Sequence, residues 1–149
     1  MAEILDRLNS DMKVALKERN KFSLSVIRML RSELQYAEIA AGTPLSDEQV
    51  IAVLARELKK RQDAAAEFAA AGREETAENL NREQAIIRNY LPEPLTEDQL
   101  RELIADVISA TGAQSKDDFG KVMARVMPLV RGRCDGNTVS SLVKQILTK

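Results

Sequence analysis

The stretch FGKVMARVMPLVRGRCDGNTVSSLVKQILTK, residues Phe119–Lys149, decides the fold of the C-terminal part of the chain. Apolar residues recur at three- and four-residue spacing on both sides of a glycine-containing turn, Gly132–Asn137. This spacing predicts two short amphipathic helices joined by the turn. Pro128 lies inside the first of them and is expected to kink that helix or end it early.

Charge is unevenly distributed around this stretch. Phe119–Lys149 contains six lysines and arginines against one acidic residue, a net charge of +5. The preceding segment, Pro92–Asp118, contains two basic residues against seven acidic ones, a net charge of −5. A basic end of this kind is suited to binding phosphate groups. The candidate contacts are Lys121, Arg125, Arg131, Arg133 and Lys144, with Gly132 and Gly136 allowing close approach of backbone amides.

The composition of the 149-residue chain predicts an all-α protein. Aromatic residues make up 3% of the chain and charged residues 30%, and the abundant residue types are helix formers. No apolar run reaches the ~20 residues that a membrane span requires. We therefore expect a soluble cytoplasmic protein without a membrane partner.

The absence of histidine excludes several kinds of chemistry. With no His and a single cysteine, Cys134, the chain lacks the residues of common zinc sites, Ser-His-Asp triads and disulfide frameworks. It also lacks the glycine-rich signatures of nucleotide-binding loops. We expect no metal and no cofactor. Cys134 is interpreted either as a reactive thiol beside basic residues or as a small residue that suits the turn.

Four amphipathic helices are predicted before residue 92. They cover about 2–19, 22–41, 47–71 and 73–91, and the third contains the small-residue run AAAEFAAA, which permits a close neighbour. Gly42 and Gly72 supply stop signals. Ser46 and Gln49 have the spacing of a capping box at the start of the third helix.

Two prolines, Pro92 and Pro94, mark the boundary between two domains. They cannot continue a helix and favour extended backbone before them. We divide the chain into an N-terminal four-helix domain, residues 1–91, and a smaller C-terminal three-helix domain, residues 92–149. Thr96 with Gln99 predicts the cap of the first C-terminal helix, and Ser115 predicts the cap of the second.

A second group of basic residues lies on the third predicted helix. It can form an additional phosphate-binding patch, or it can be a solvated helix face with ion pairs four residues apart, Glu57 with Arg61 and Lys59 with Asp63. The members of this group are Arg56, Lys59, Lys60 and Arg61.

The motifs Leu91-Pro92, Phe119-Gly120-Lys121-Val122-Met123 and Gly132-Arg133-Cys134-Asp135-Gly136-Asn137 resemble those of the YqeY family. The C-terminal part, from Glu93 onward, is similar to the tail of the B subunit (GatB) of the glutamine-dependent aspartyl/glutamyl-tRNA amidotransferase. Phe119 stands where many relatives have Met, and Cys134 replaces a commoner small residue. Neither difference affects the basic positions.

The resemblance implies a two-part helical protein that contacts tRNA or another structured RNA. It also implies a family-level classification as a carbon-nitrogen ligase with glutamine as amido-N-donor. It implies no catalytic centre in this chain, because in the amidotransferase the chemistry belongs to other domains. Asp135 and Asn137 are expected to shape the turn or cap the last helix.

Two alternatives belong to other functional classes. An autonomous modifying enzyme would depend on scattered carboxylates such as Glu57, Glu67 and Glu83, for which the sequence shows no pocket. A protein-protein adaptor with a solvated basic surface would present Met123, Met127 and Val130 to a partner helix. The competing interpretation is that these three residues belong to the core.

Overall fold

The protein is helical throughout the part that the computed structural model describes, residues 3–148, where there is no β-strand. In this range seven α-helices follow one another. Their bounds are α1 Glu3–Lys17, α2 Lys21–Ala41, α3 Asp47–Ala70, α4 Glu74–Arg88, α5 Glu97–Thr111, α6 Phe119–Val130 and α7 Gly136–Leu147. The all-α prediction is therefore confirmed.

The chain divides into two compact units, Met1–Leu91 and Pro92–Lys149. The first contains α1–α4 and the second contains α5–α7. Each unit has a hydrophobic core built from its own residues. No candidate helix for crossing a membrane occurs between residues 3 and 148.

The core of the first unit is aliphatic. Its fully buried side chains come from all four helices. The most extensive contact between two helices joins α3 and α4, where Ala65 and Ala77 are both buried. Such small side chains allow the two helix backbones to approach closely, as the AAAEFAAA run predicted. The fully buried members of this core are Leu8, Leu30, Leu34, Val50, Leu54 and Ile87.

The helix ends follow the local sequence signals. The Ser46 hydroxyl accepts a hydrogen bond from the Gln49 N–H at 3.2 Å, and the Ser46 N–H donates to the Gln49 side chain at 2.9 Å. Thr96 and Gln99 make the same reciprocal pair at 3.1 and 3.0 Å. Both predicted capping boxes are thus confirmed. Gly42 ends α2 with a φ of 74°, in the left-handed region that favours glycine.

The second unit packs α5, α6 and α7 around a core rich in valine. Val122, Val126 and Val130 form the buried stripe of α6, and Val139 and Val143 face them from α7. Pro128 does not stop α6 at once, since the helix continues for two more residues to Val130. A proline so close to the C-terminal end removes only one backbone hydrogen bond of the last turn.

Ser115 caps a short 3₁₀ helix, Lys116–Asp118, which leads into α6. The Ser115 hydroxyl accepts from the Asp117 N–H at 3.3 Å. The predicted cap therefore exists, but one 3₁₀ turn precedes the α-helix that it was expected to open.

Candidate nucleic-acid interface

The predicted phosphate contacts begin with Lys121 in the first turn of α6. Its side chain is exposed, and its Nζ donates a hydrogen bond to the Thr111 carbonyl oxygen at 3.2 Å. The neighbouring Asp118 carboxylate has a pKa below its ordinary value, mainly because it accepts a hydrogen bond from the Gln114 N–H, with a smaller contribution from the Lys121 charge. One hydrogen bond of the Lys121 ammonium is thus used to link the end of α5 to the start of α6.

Arg125 and Arg131 are the least constrained cations of the predicted set. Both are exposed, and neither makes a hydrogen bond or ion pair with any residue in the range 3–148. Arg125 lies one helical turn after Lys121, on the exposed flank of α6 beside the valine stripe. Arg131 directly follows the last residue of the helix. Their guanidinium groups are available to an external anion.

Arg133 has a structural contact of its own. Its Nε donates to the Glu93 carbonyl oxygen at 2.9 Å, and its own carbonyl oxygen accepts from the Leu95 N–H at 3.1 Å. These two bonds fasten the segment that leads into α5 to the turn between α6 and α7. The terminal nitrogens of Arg133 are not used in these contacts, so an additional role in anion binding stays a prediction.

The turn itself is shorter than predicted, because α7 begins at Gly136. Asp135 is the N-cap residue, and its Oδ1 accepts from the Asn137 N–H at 3.1 Å. The predicted capping role of Asp135 is confirmed. Position 132 has a φ of 79°, a left-handed backbone conformation that favours glycine. Gly136 has no such conformation, and an added Cβ would lie 3.8 Å from Met127 Cε, an ordinary contact.

Lys144 reaches from α7 to the beginning of α6. Its Nζ lies 5.3 Å from the centroid of the Phe119 ring, within cation–π range. The contact holds the two helices together and leaves the exposed ammonium beside the first turn of α6.

The predicted cations are therefore spread along α6. Lys121 and Lys144 lie at its beginning, and Arg131 and Arg133 lie at its end, ten residues later. Ten residues of α-helix span ~15 Å. We call these cations, together with Arg125, the basic strip; a spread of this length is suited to a polyanion with repeating phosphates rather than to one small anion.

Comparison with known proteins assigns the chain to a family. The family model described as "Yqey-like protein" matches residues 5–147. The chain belongs to the YqeY family. The resemblance stated from the sequence motifs is thus confirmed for this family.

Two curated relatives of this YqeY-family chain come from fungi. "Altered inheritance of mitochondria protein 41, mitochondrial" of Pyrenophora tritici-repentis is 27% identical over 147 residues, covering 97% of this chain and 81% of that protein. An uncharacterised protein of Schizosaccharomyces pombe is 32% identical over 79 residues, covering 53% of this chain and 64% of that protein.

The second predicted patch of the YqeY-family chain is largely engaged in ion pairs. Both pairs expected for a solvated helix face are present, Arg61 with Glu57 at 3.3 Å and Lys59 with Asp63 at 3.4 Å. Lys60 also lies 3.3 Å from Glu57. Arg56 is exposed.

Arg61 differs from the other members of this patch because it is turned inward. Its side chain is 14% exposed, and its Nε lies 3.3 Å from the Glu83 carboxylate of α4. The Nε–H is not aligned for a hydrogen bond, so this contact is an ion pair only. The ion pair with Glu57 can be predicted from its position four residues before Arg61, but nothing in the sequence predicts the ion pair with Glu83.

The carboxylates considered for catalysis are either paired with cations or exposed to solvent. Glu57 and Glu83 both contact Arg61, and Glu57 also contacts Lys60, so each carboxylate is paired with a cation of the first unit. Glu67 is exposed near the end of α3. Within residues 3–148, no group of three His, Cys, Asp or Glu side chains is placed to hold a metal ion.

Cys134 fits the interpretation of a small turn residue. It is half-buried and packs against the core of the second unit. Burial raises the pKa of its thiol, and the nearby Leu95 N–H and Arg133 only partly oppose that effect. A raised pKa makes a cysteine a poorer nucleophile at neutral pH.

The three residues considered for a helix-binding adaptor belong to the core. Val130 is fully buried, and Met123 and Met127 are half-buried against the same cluster. These positions favour the core interpretation over the adaptor alternative, which no contact tests.

Proposed function

We propose that the second unit of this YqeY-family protein binds tRNA or another structured RNA along the basic strip of α6. The proposed contacts are the seven residues predicted from the sequence: Lys121, Arg125, Arg131, Gly132, Arg133, Gly136 and Lys144. The observation that carries the proposal is the exposure of Arg125 and Arg131 without partners in the range 3–148. Keeping two guanidinium groups unpaired favours an external anion as their partner.

The surrounding charge supports this choice of ligand. Phe119–Lys149 has a net charge of +5, and its single acidic residue, Asp135, is used as the N-cap of α7. Phosphate contacts of arginine and lysine position a nucleic acid without reading its bases. The choice of RNA is supported by the resemblance of the C-terminal motifs to the GatB tail, which implies a contact with tRNA.

We further propose that the protein assists a carbon-nitrogen ligase that uses glutamine as amido-N-donor and does not catalyse amidation itself. The chain has no histidine, and Glu57 and Glu83 of the first unit are both engaged in ion pairs with Arg61. Purified protein incubated with misacylated tRNA, glutamine and ATP is expected to give no amidated product. Turnover in that assay would overturn this part of the proposal.

The RNA proposal is tested by titrating labelled tRNA at several salt concentrations. The double variant R125A/R131A is compared with the control R28A/R101A, which removes the same charge from exposed or partly exposed arginines elsewhere. Arg101 is paired with Glu97 at 2.9 Å, so its loss removes no free guanidinium.

R125A/R131A is expected to weaken binding at least tenfold and to reduce the slope of log K against log salt by about one unit for each lost contact. The control is expected to change neither quantity by more than about twofold, because neither of its arginines belongs to the proposed contacts. No tRNA binding by the wild-type protein at low salt, or equal losses in both variants, would overturn the proposal.

We also propose a cytoplasmic location. The name of the Pyrenophora relative describes that protein as mitochondrial. Fractionation of cells followed by immunodetection distinguishes the two compartments.

A further inference from the structure

Four of the five aromatic rings in this protein have a cation placed over them. Arg82 covers Phe22 at 4.0 Å, Lys144 covers Phe119 at 5.3 Å, Arg7 covers Tyr90 at 5.1 Å and Arg73 covers Phe68 at 5.6 Å from the ring centroid. Tyr36 is the exception among residues 3–148, and 69% of it is exposed. Its ring faces away from the core of the first unit.

Tyr36 has an apolar neighbour on the same side of α2. Ile39, three residues later, is 70% exposed, and residues three apart on a helix are adjacent on its surface. Together they are the most exposed large hydrophobic side chains between residues 3 and 148. Beside them, a surface depression is lined by Gln35, Glu38, Ile39, Gly42, Thr43 and Pro44.

The chain around this pair, from the middle of α2 to the first half of α3, is acidic or neutral. Residues 32–55 contain four carboxylates, Glu33, Glu38, Asp47 and Glu48, and no lysine or arginine. The loop Gly42–Ser46 is five residues long, so the first turn of α3 with its two acids lies close to the last turn of α2. A nucleic acid would be repelled here, whereas a cationic ligand would be attracted.

We infer that Tyr36, Ile39 and the adjoining acidic depression form a docking surface for a basic segment of a partner protein. An arginine or lysine of the partner stacks on the Tyr36 ring, as intramolecular cations do on the other four rings. An apolar side chain of the partner packs against Ile39, and Glu38, Asp47 and Glu48 attract its remaining positive charges. This surface belongs to the first unit and is independent of the proposed RNA strip.

The inference is tested on the full chain with a synthetic amphipathic helical peptide whose polar face consists of lysine and arginine. A second peptide has the same apolar face with glutamate in place of the basic residues. Binding is measured by fluorescence anisotropy, and the site is mapped by amide chemical-shift changes. The basic peptide is expected to shift residues 35–48, and the acidic peptide is expected not to bind.

The Y36S/I39S variant is expected to weaken binding of the basic peptide at least tenfold. The control V14S alters another exposed hydrophobic residue, 51% exposed near the α1–α2 connection, and is expected to leave affinity unchanged. Because all three side chains are largely exposed, circular dichroism melting curves should show that each variant remains folded.

Several outcomes would overturn the inference. Equal affinity of Y36S/I39S and wild type for the basic peptide would do so, as would equal binding of the acidic peptide. Chemical-shift changes at residues 35–48 on addition of tRNA would assign the surface to RNA. A dimer in light scattering that disappears in Y36S/I39S would assign it to a second copy of the chain.

Discussion

The hydroxyl of Tyr90 donates a hydrogen bond to the Asp11 carboxylate, which joins the residues after α4 to α1. Tyr90 is 4% exposed, and Arg7 lies over its ring while donating to the Asn89 carbonyl oxygen at 2.8 Å. These contacts fix the end of the first unit immediately before the proline-rich boundary.

Replacing Tyr90 with phenylalanine should destabilise the first unit. The change removes the hydroxyl and leaves the half-buried Asp11 without this donor, at a cost of about 1–2 kcal/mol in the free energy of unfolding. Urea denaturation followed by circular dichroism measures the difference. A Y90F protein as stable as wild type would show that the Asp11 contact contributes nothing.

The same contact predicts a dependence on alkaline pH. Burial first, and then the Asp11 hydrogen bond, raises the pKa of Tyr90 above its ordinary value of about 10. Above that pH the unfolded chain loses a proton that the folded chain keeps, so stability falls as pH rises, by up to about 1.4 kcal/mol per pH unit. Y90F should lack this part of the decline in urea titrations between neutral and strongly alkaline pH.

Arg61 should be important for stability because its side chain is largely buried between two carboxylates. R61A leaves Glu57, whose side chain is 5% exposed, without its main partner, and is expected to cost about 3 kcal/mol. Lys60 also contacts Glu57 but is 65% exposed, so K60A should cost less than about 1 kcal/mol. If the two variants unfold at the same urea concentration, Arg61 has no special role.

Arg131 and Arg133 should respond differently to alanine substitution. R133A removes the hydrogen bond to the Glu93 carbonyl oxygen, so we expect it to lower the stability of the second unit by about 1 kcal/mol. It should also lower the affinity for tRNA. R131A has no such bond to lose and should lower affinity alone. Thermal melts and tRNA titrations of both variants check this, and equal destabilisation would contradict it.

Two glycines of the second unit provide a matched pair of substitutions. Gly120 lies in α6, where an added Cβ would meet no atom within 4 Å, so G120A should stabilise the unit by about 0.5–1 kcal/mol. Gly112 caps α5 with a φ of 70°, so G112A should destabilise it by about 1 kcal/mol. The two variants, measured in one denaturation series, should change the free energy of unfolding in opposite directions.

Cys134 should react slowly with thiol reagents. Burial lowers its access to reagent and raises the pKa of its thiol, so little thiolate is present at neutral pH. Its reaction rate with Ellman's reagent at neutral pH should be below that of a cysteine in a short peptide, and should approach it in denaturant. A faster reaction in the folded protein would favour the reactive-thiol interpretation.

Features that depend on neighbouring residues could be predicted from the sequence. The capping boxes at Ser46 and Thr96 and the glycine stops at Gly42 and Gly72 follow from side chains and backbone conformations within a few residues. The outward position of Arg125 follows from the helical period relative to the valine stripe of α6.

Features that depend on how helices rotate against each other could not be predicted. The contacts of Arg61 with Glu83 and of Arg133 with the Glu93 carbonyl join residues far apart in the chain. In the sequence, nothing distinguishes Arg133 from an exposed cation, and Arg61 is distinguished only by Glu57 four residues earlier. Only tertiary packing separates them from Arg125 and Arg131, which remain without partners in residues 3–148.

The separate cores of the two units affect how the chain can fold during translation. Leu91 packs against the first core and Leu95 against the second, with only three residues between them. All residues of the first hydrophobic core have therefore been synthesised before the ribosome translates those of the second core. The first unit can complete its packing on the nascent chain, and the second unit is added to a chain whose first unit is already folded.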